Sequence, residues 1–189
     1  MGGIGALLAT LDTVSIESSC SEGHGIAVQI AQNLFQYYAA DSEMNNAGET
    51  SADTLGCIIS VHLGNLDIQA RKITDGVFHP LSVSKNGIAL RKRDGTIIEY
   101  SMAPGLGAIY VSPRPAQGIT LTVWGADLEG LHQAARLVPM LTGVGQPDFV
   151  VMRRECSYQG VAGVAAMGFF DHTWNISEAS YIDVSAYPA

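Results

Sequence analysis

No lysine or arginine occurs in the first 70 residues, a stretch that holds eight acidic ones; from Arg71 onward there are ten residues of each sign, so the whole net charge of −8 sits in the first third. Binding a nucleic-acid backbone needs a basic patch, which argues against nucleic acid as a partner. The one basic cluster, Arg91-Lys92-Arg93, runs into Asp94-Gly95, a hairpin-turn signal, and reads as a solvated hairpin tip ahead of an anion site. No apolar run reaches the roughly 18 residues of a membrane span, and no membrane partner is expected. The opening MGGIGALLATL is apolar but has no basic residue ahead of it, a poor fit to a secretory signal peptide.

Chemical signatures are also scarce. Three cysteines, Cys20, Cys57 and Cys156, lie far apart with no CxxC, which rules out a locally spaced metal knuckle. One disulfide plus one thiol, or three thiols, both fit; Cys57 heads an apolar strand, which favours a buried thiol there. There is no GxSxG elbow, and Gly2-Gly3-Ile4-Gly5 lacks the strand and GKS of a phosphate loop. The five histidines, His24, His62, His79, His132 and His172, stand singly without HxH or HExxH, and read as surface or satisfied structural groups. Catalytic, cofactor-binding and metal-ligating residues are therefore all assigned as none, and no cofactor is expected. Asp171-His172 is the one adjacent acid-base pair, and neighbours on a chain rarely face each other as a dyad.

What is present is a pattern of strands and helices. In 119–124, Ile119, Leu121 and Val123 alternate with Thr120, Thr122 and Trp124, a β-rich period of two. Gly125-Ala126 then turns the chain, and Asp127 stands at the N-cap of a helix whose buried face should be Leu128, Leu131, Ala135 and Val138, with Glu129, His132, Gln133 and Arg136 pointing away. Pro139 should bend that helix or end it early, and Gly143 stop it. A similar unit comes earlier. Residues 13–17 alternate as a strand, Ser21-Glu22 cap, and a helix over about 23–40 repeats Ile26, Ile30, Leu34 and Tyr37 or Tyr38 at helical spacing.

Residues 41–55 are polar and read as a loop. Further strands are expected at 57–63, 81–84, 87–91, 96–100, 107–111 and, last, 149–152. The fold class predicted is α/β or α+β, a single domain built on a mixed sheet with two main amphipathic helices packed on it. Its core is expected over 1–152. Beyond it, 153–189 is Gly-rich and apolar, and packs either on the core or on a partner. Asn175-Ile176-Ser177 is an N-glycosylation sequon, meaningful in a secreted chain.

The runs LTVWGADLEGLHQAARLVPMLTGVGQPDFVV (121–151) and GVAAMGFFDHTW (163–174), with IAVQIAQNLFQYYAAD (26–41) and GLGAIYVSP (105–113), resemble the C-terminal region of a family of large fungal secreted proteins. The upstream part of that family looks like an S9-type (prolyl oligopeptidase-like) α/β-hydrolase. A second likeness, in the strand-GxD-helix wording alone, is to the small α/β domains ahead of some glycosidase barrels. The resemblance implies a non-catalytic accessory or interaction domain tied to a secreted serine hydrolase of peptidase or esterase type, and it implies a secreted parent protein. None of the hydrolase's motifs matches a position here. The chain starts shortly before its first strand, so the expectation is a truncated product, a fragment or a standalone descendant. Partners expected are an upstream hydrolase domain or a second copy, docking through 161–174. Two other readings stand beside it: a standalone hydrolase with a dispersed triad using Asp171, His172 and some serine, and a glycan- or peptide-binding module stacking ligands on Trp124, Trp174 and Tyr181.

Overall fold

The computed structural model describes residues 13–46, 57–64, 72–74, 77–114, 118–139 and 146–184. Its centre is an eight-stranded mixed sheet. Strands β1 (Thr13–Ser18), β2 (Asp41–Asn46), β3 (Cys57–Leu63), β9 (Gly107–Pro113), β10 (Ile119–Gly125), β11 (Phe149–Met152), β12 (Val164–Gly168) and β13 (Tyr181–Ile182) lie in the order β13-β12-β11-β9-β10-β3-β1-β2. β10, β3, β1 and β2 run parallel, and every contact from β10 through β9, β11 and β12 to β13 is antiparallel. A three-stranded antiparallel sheet, β6 (Leu81–Ser84), β7 (Gly87–Arg91) and β8 (Ile97–Ser101), forms a second layer. β4 (Lys72–Thr74) and β5 (Val77–Phe78) pair separately. The architecture is mixed α+β.

Both faces of the main sheet are apolar where something packs on them. Helix α1 (Ser21–Tyr38) packs on β1, β2 and β3, and α2 (Leu128–Ala135) packs chiefly on β9 and β10. Between helices and sheet lies one core: Ile26, Ile30, Leu34 and Leu131 against Val14, Ile16, Ile59, Val61, Leu121, Val123 and Val150. The three-stranded sheet covers the opposite face, where Leu81, Val83, Ile88, Leu90 and Ile98 meet Trp124, Phe149, Val151, Ala165 and Ala166. Strands β9, β10, β11 and β12 feed both cores because their side chains alternate, whereas β1 and β3 give apolar residues to the helix-side core alone.

The strand-turn-helix unit at 119–135 follows the sequence closely. Asp127 caps α2 by accepting the Gly130 N–H at 2.8 Å, and its carboxylate also accepts the Gly105 N–H at 3.0 and 3.2 Å. Gly130 lets the helix lie directly on the chain before β9, since a Cβ there would sit 2.1 Å from the Leu106 carbonyl oxygen. The helix ends at Ala135, ahead of Pro139. The expected stop at Gly143 lies outside the described residues.

Four expectations need correction, and one pair of strands is an addition. Residues 41–46 form strand β2 instead of a loop: pairing with β1 overrides a sequence whose one apolar residue, Met44, turns toward the helix-side core. The remainder of that expected loop, 47–55, lies outside the described residues. The cap of α1 is Cys20, whose Sγ accepts the Gly23 N–H at 3.3 Å, so the helix starts at Ser21. In α2, Leu128 is exposed and Gln133 buried, because the helix turns Leu131, Ala134, Ala135 and Val138 inward and lays Gln133 against the Gly105 segment. Phe149–Met152 is not the last strand, since β12 and β13 come after it. The short pair β4 and β5 was not expected at all.

Candidate functional site

The segment after Arg153 is where packing changes character. Short helix α3 (Cys156–Gln159) and a 3-10 turn (Gly160–Gly163) lead into β12, whose Ala165 and Ala166 are fully buried. The segment is pinned from the other layer. Arg153 Nη1 bonds Asp183 Oδ2 at 2.8 Å, its guanidinium lies 5.8 Å from the Tyr100 ring centre, and the Tyr100 hydroxyl lies 3.0 Å from the carbonyl oxygens of both Ala165 and Asp183. A Cβ at Gly163 would fall 2.2 Å from the Cys156 nitrogen, so the 3-10 turn can fold tightly back on α3.

Among the described residues, the helix layer does not extend over the outer part of this edge. Val150, under the helices, is opposite Met167, and Met167 is opposite Tyr181. Cross-strand partners share a face, so these three form one row. Val150 is 3% exposed, Met167 37% and Tyr181 52%. α3 leans on the same core through Cys156, as β12 does through Val164, while Tyr158 of α3 and Val161 of the 3-10 turn are 70% and 76% exposed. Along the row, exposure of apolar side chains rises toward the sheet edge at β13.

The catalytic pattern considered from sequence does not assemble among the described residues. Asp171 and His172 lie in a tight connection closed by the Phe170–Ile176 bridge. Asp171 Oδ1 accepts the Thr173 N–H at 2.8 Å, the Thr173 hydroxyl at 2.7 Å and the Asn175 N–H at 3.0 Å. Those bonds, the Thr173 hydroxyl first, hold its carboxyl below the usual range. This carboxylate is a turn-former, and His172 beside it is exposed.

The three aromatics proposed as stacking platforms are scattered. Trp124 is fully buried and donates Nε1–H to the Gly64 carbonyl at 3.0 Å, so it cannot stack a ligand. Trp174, held at a φ of +62°, is half-buried against Phe170 and His79. Only Tyr181 is exposed.

Several other polar groups satisfy one another. His79, 3% exposed, places Nδ1 3.2 Å from the Leu81 N–H and Nε2 2.9 Å from the Val111 carbonyl, a satisfied structural histidine. On the face of β1 and β3 away from the helices, the Ser60 hydroxyl donates to Glu17, and Asn45 Nδ2 donates to Ser15 at 2.9 Å. Sequence reasoning passed over this polar stripe, although its signal was there in the alternation of Ser15 and Glu17 with Val14 and Ile16.

All three cysteines are thiols. Burial pushes the Cys57 thiol up to about 12, and also raises that of Cys156. No group of three or more histidine, cysteine or acidic residues that could hold a metal ion occurs among the described residues. No described helix is long and apolar enough to cross a membrane. A groove of about 350 Å³ lies between Tyr100, Pro104, Arg153, Arg154 and Glu155, where Arg154 Nε already bonds Glu129 at 3.1 Å.

No family model matches the chain. Over 185 residues it is 38% identical to an "Uncharacterized secreted protein" of Arthroderma benhamiae, a match that takes in 95% of this chain. The chain spans only 19% of the length of that relative. The likeness is thus to one part of a large secreted fungal protein, and that protein's description speaks of secretion and not of a hydrolase.

Proposed function

We propose that this chain acts as a non-catalytic interaction domain of a larger secreted polypeptide, docking through the helix-side face of its β12–β13 edge. The observation that carries the reading is the Val150–Met167–Tyr181 row, buried at one end and bare at the other. Its occupant is a neighbouring domain of the same polypeptide. The A. benhamiae relative supports this choice, since four-fifths of its length lies outside the part that this chain resembles. A serine hydrolase is the finer identity that the first resemblance suggests for that neighbour. Docking within one polypeptide needs little apolar area, because the tether raises the effective concentration of the two surfaces.

The test is to recover the native polypeptide from culture supernatant with an antibody to this chain, and to install a photo-crosslinking side chain at position 167. The reading expects a secreted species well above 20.0 kDa and crosslinks from position 167 to sequence outside residues 1–189. A 20.0 kDa species whose position 167 crosslinks to a second copy, or to nothing, overturns it.

A further inference from the structure

The connection from β12 to β13 holds the chain's one Asn-x-Ser/Thr triplet, Asn175-Ile176-Ser177. We infer that Asn175 carries an N-linked glycan, an inference that rests on the reading of this chain as part of a secreted protein. The local structure supplies what the triplet alone does not. Ile176 is 7% exposed and packs into the core under the three-stranded sheet, and its backbone pairs with Phe170. In an extended segment alternate side chains point opposite ways, so with Ile176 buried Asn175 and Ser177 lie on the opposite side, where both are partly exposed.

Asn175 is held by its backbone and not by its amide. Its N–H donates to Asp171 Oδ1 at 3.0 Å, and its carbonyl accepts the Asp171 N–H at 2.8 Å. The side-chain Nδ2 makes one exposed bond, donating to the Thr173 hydroxyl oxygen at 2.8 Å. An amide nitrogen has two hydrogens, and glycosylation replaces one. The modified nitrogen keeps an N–H for Thr173, so the folded loop accepts the sugar without losing a hydrogen bond. Asn175 also lies in the connection beyond β12, outside the strands that carry Met167 and Tyr181, so a glycan there is compatible with a docked neighbour.

The donor is a lipid-pyrophosphate-linked oligosaccharide. The Nδ2–C bond to the sugar forms as the sugar's bond to the pyrophosphate oxygen breaks; the lipid pyrophosphate leaves and the amide releases one proton.

The full chain, fused to a cleavable leader, is translated with glycosylation-competent microsomes, and only protease-protected, leader-cleaved product is scored. The wild type is expected to show one discrete mass increase, removed by peptide N-glycosidase and absent in both Asn175→Gln and Ser177→Ala. A second chain combines Asn175→Gln with Asp94→Asn, which places a sequon at the exposed hairpin tip ahead of Gly95-Thr96. Modification of that chain but not of the wild type overturns the assignment of Asn175. Because the leader is supplied, this result does not depend on whether the native chain is secreted, which the supernatant experiment reads separately.

Discussion

Leu121 and Met167 lie on the same face of the same sheet, in β10 and β12. Leu121 is fully buried beneath the helix layer, while Met167 is 37% exposed. Composition does not separate the two strands in any simple way, since both are apolar. They differ in where the chain goes next. β10 runs through Gly125 and the Asp127 cap into a helix that folds back over its own strand, whereas β12 continues into the Asp171 turn and returns as a two-residue strand. Among the described residues, a strand that brings its own cover completes a core, and one that brings none leaves an apolar row exposed.

That contrast can be broken most directly by truncating both residues. Leu121→Ala is expected to cost about 2–5 kcal/mol in chemical denaturation, the usual range for a buried leucine, while Met167→Ala is expected to stay within about 0.5 kcal/mol, as exposed substitutions do. Comparable losses would mean that this chain covers its own β12 edge, and the docking proposal would fall. A smaller effect should come from the device that folds the helix back. Asp127→Ala removes the α2 cap and the anchor for Gly105, with an expected loss of about 1–2 kcal/mol. If Asp127→Ala leaves the unfolding midpoint unchanged, the cap does not set where the helix layer lies.

The smallest effects are expected from pH. Burial raises the Asp148 carboxyl, despite the Phe170 N–H it accepts, while hydrogen bonds hold that of Asp171 down. A raised folded-state value means that ionisation of Asp148 weakens the fold as pH rises through it, and protonation recovers the difference. A lowered value means that Asp171 contributes stability above the unfolded carboxylate range, near 4, and loses it as pH falls through the folded value. Stability profiles between about pH 2 and 7 should therefore show Asp148→Asn removing a loss on the neutral side and Asp171→Asn removing a gain there. Solvent exposure keeps the Asp171 contribution small. Shifts of the same sign in both variants would contradict this assignment.

Much of the central unit was legible. The alternation in 119–124, the turn at Gly125 and the cap at Asp127 are encoded within a few residues of one another, and each reappears in the structure with its partner identified. The edges were less legible. β2 is polar and owes its strand conformation to β1, while the tract around Gly160, Gly163 and Gly168 hides an apolar strand behind glycines that propensity alone weighs against. Among candidate site residues, Asp171 could be noticed but not understood: its three acceptor contacts depend on a turn that closes only when Phe170 bridges Ile176. Trp124 and Tyr181 looked equivalent as exposed aromatics, although one is sealed between layers and the other stands on the rim.

By itself, the sequence determined many local conformations: the Asp127 cap, the Gly125 turn, the Ile26–Ile30–Leu34 face and the strand periods at 13–17 and 119–124, each a matter of neighbouring residues competing for backbone hydrogen bonds or sharing one side of an element. It also carried the Asn175 triplet and the excess of acid in its first third. Strand order, the split of the apolar residues between two cores and the bare row at Met167 and Tyr181 were decided only by tertiary structure. Alternation says that a strand has an apolar side, but which layer covers that side is set by contacts between segments far apart in the chain.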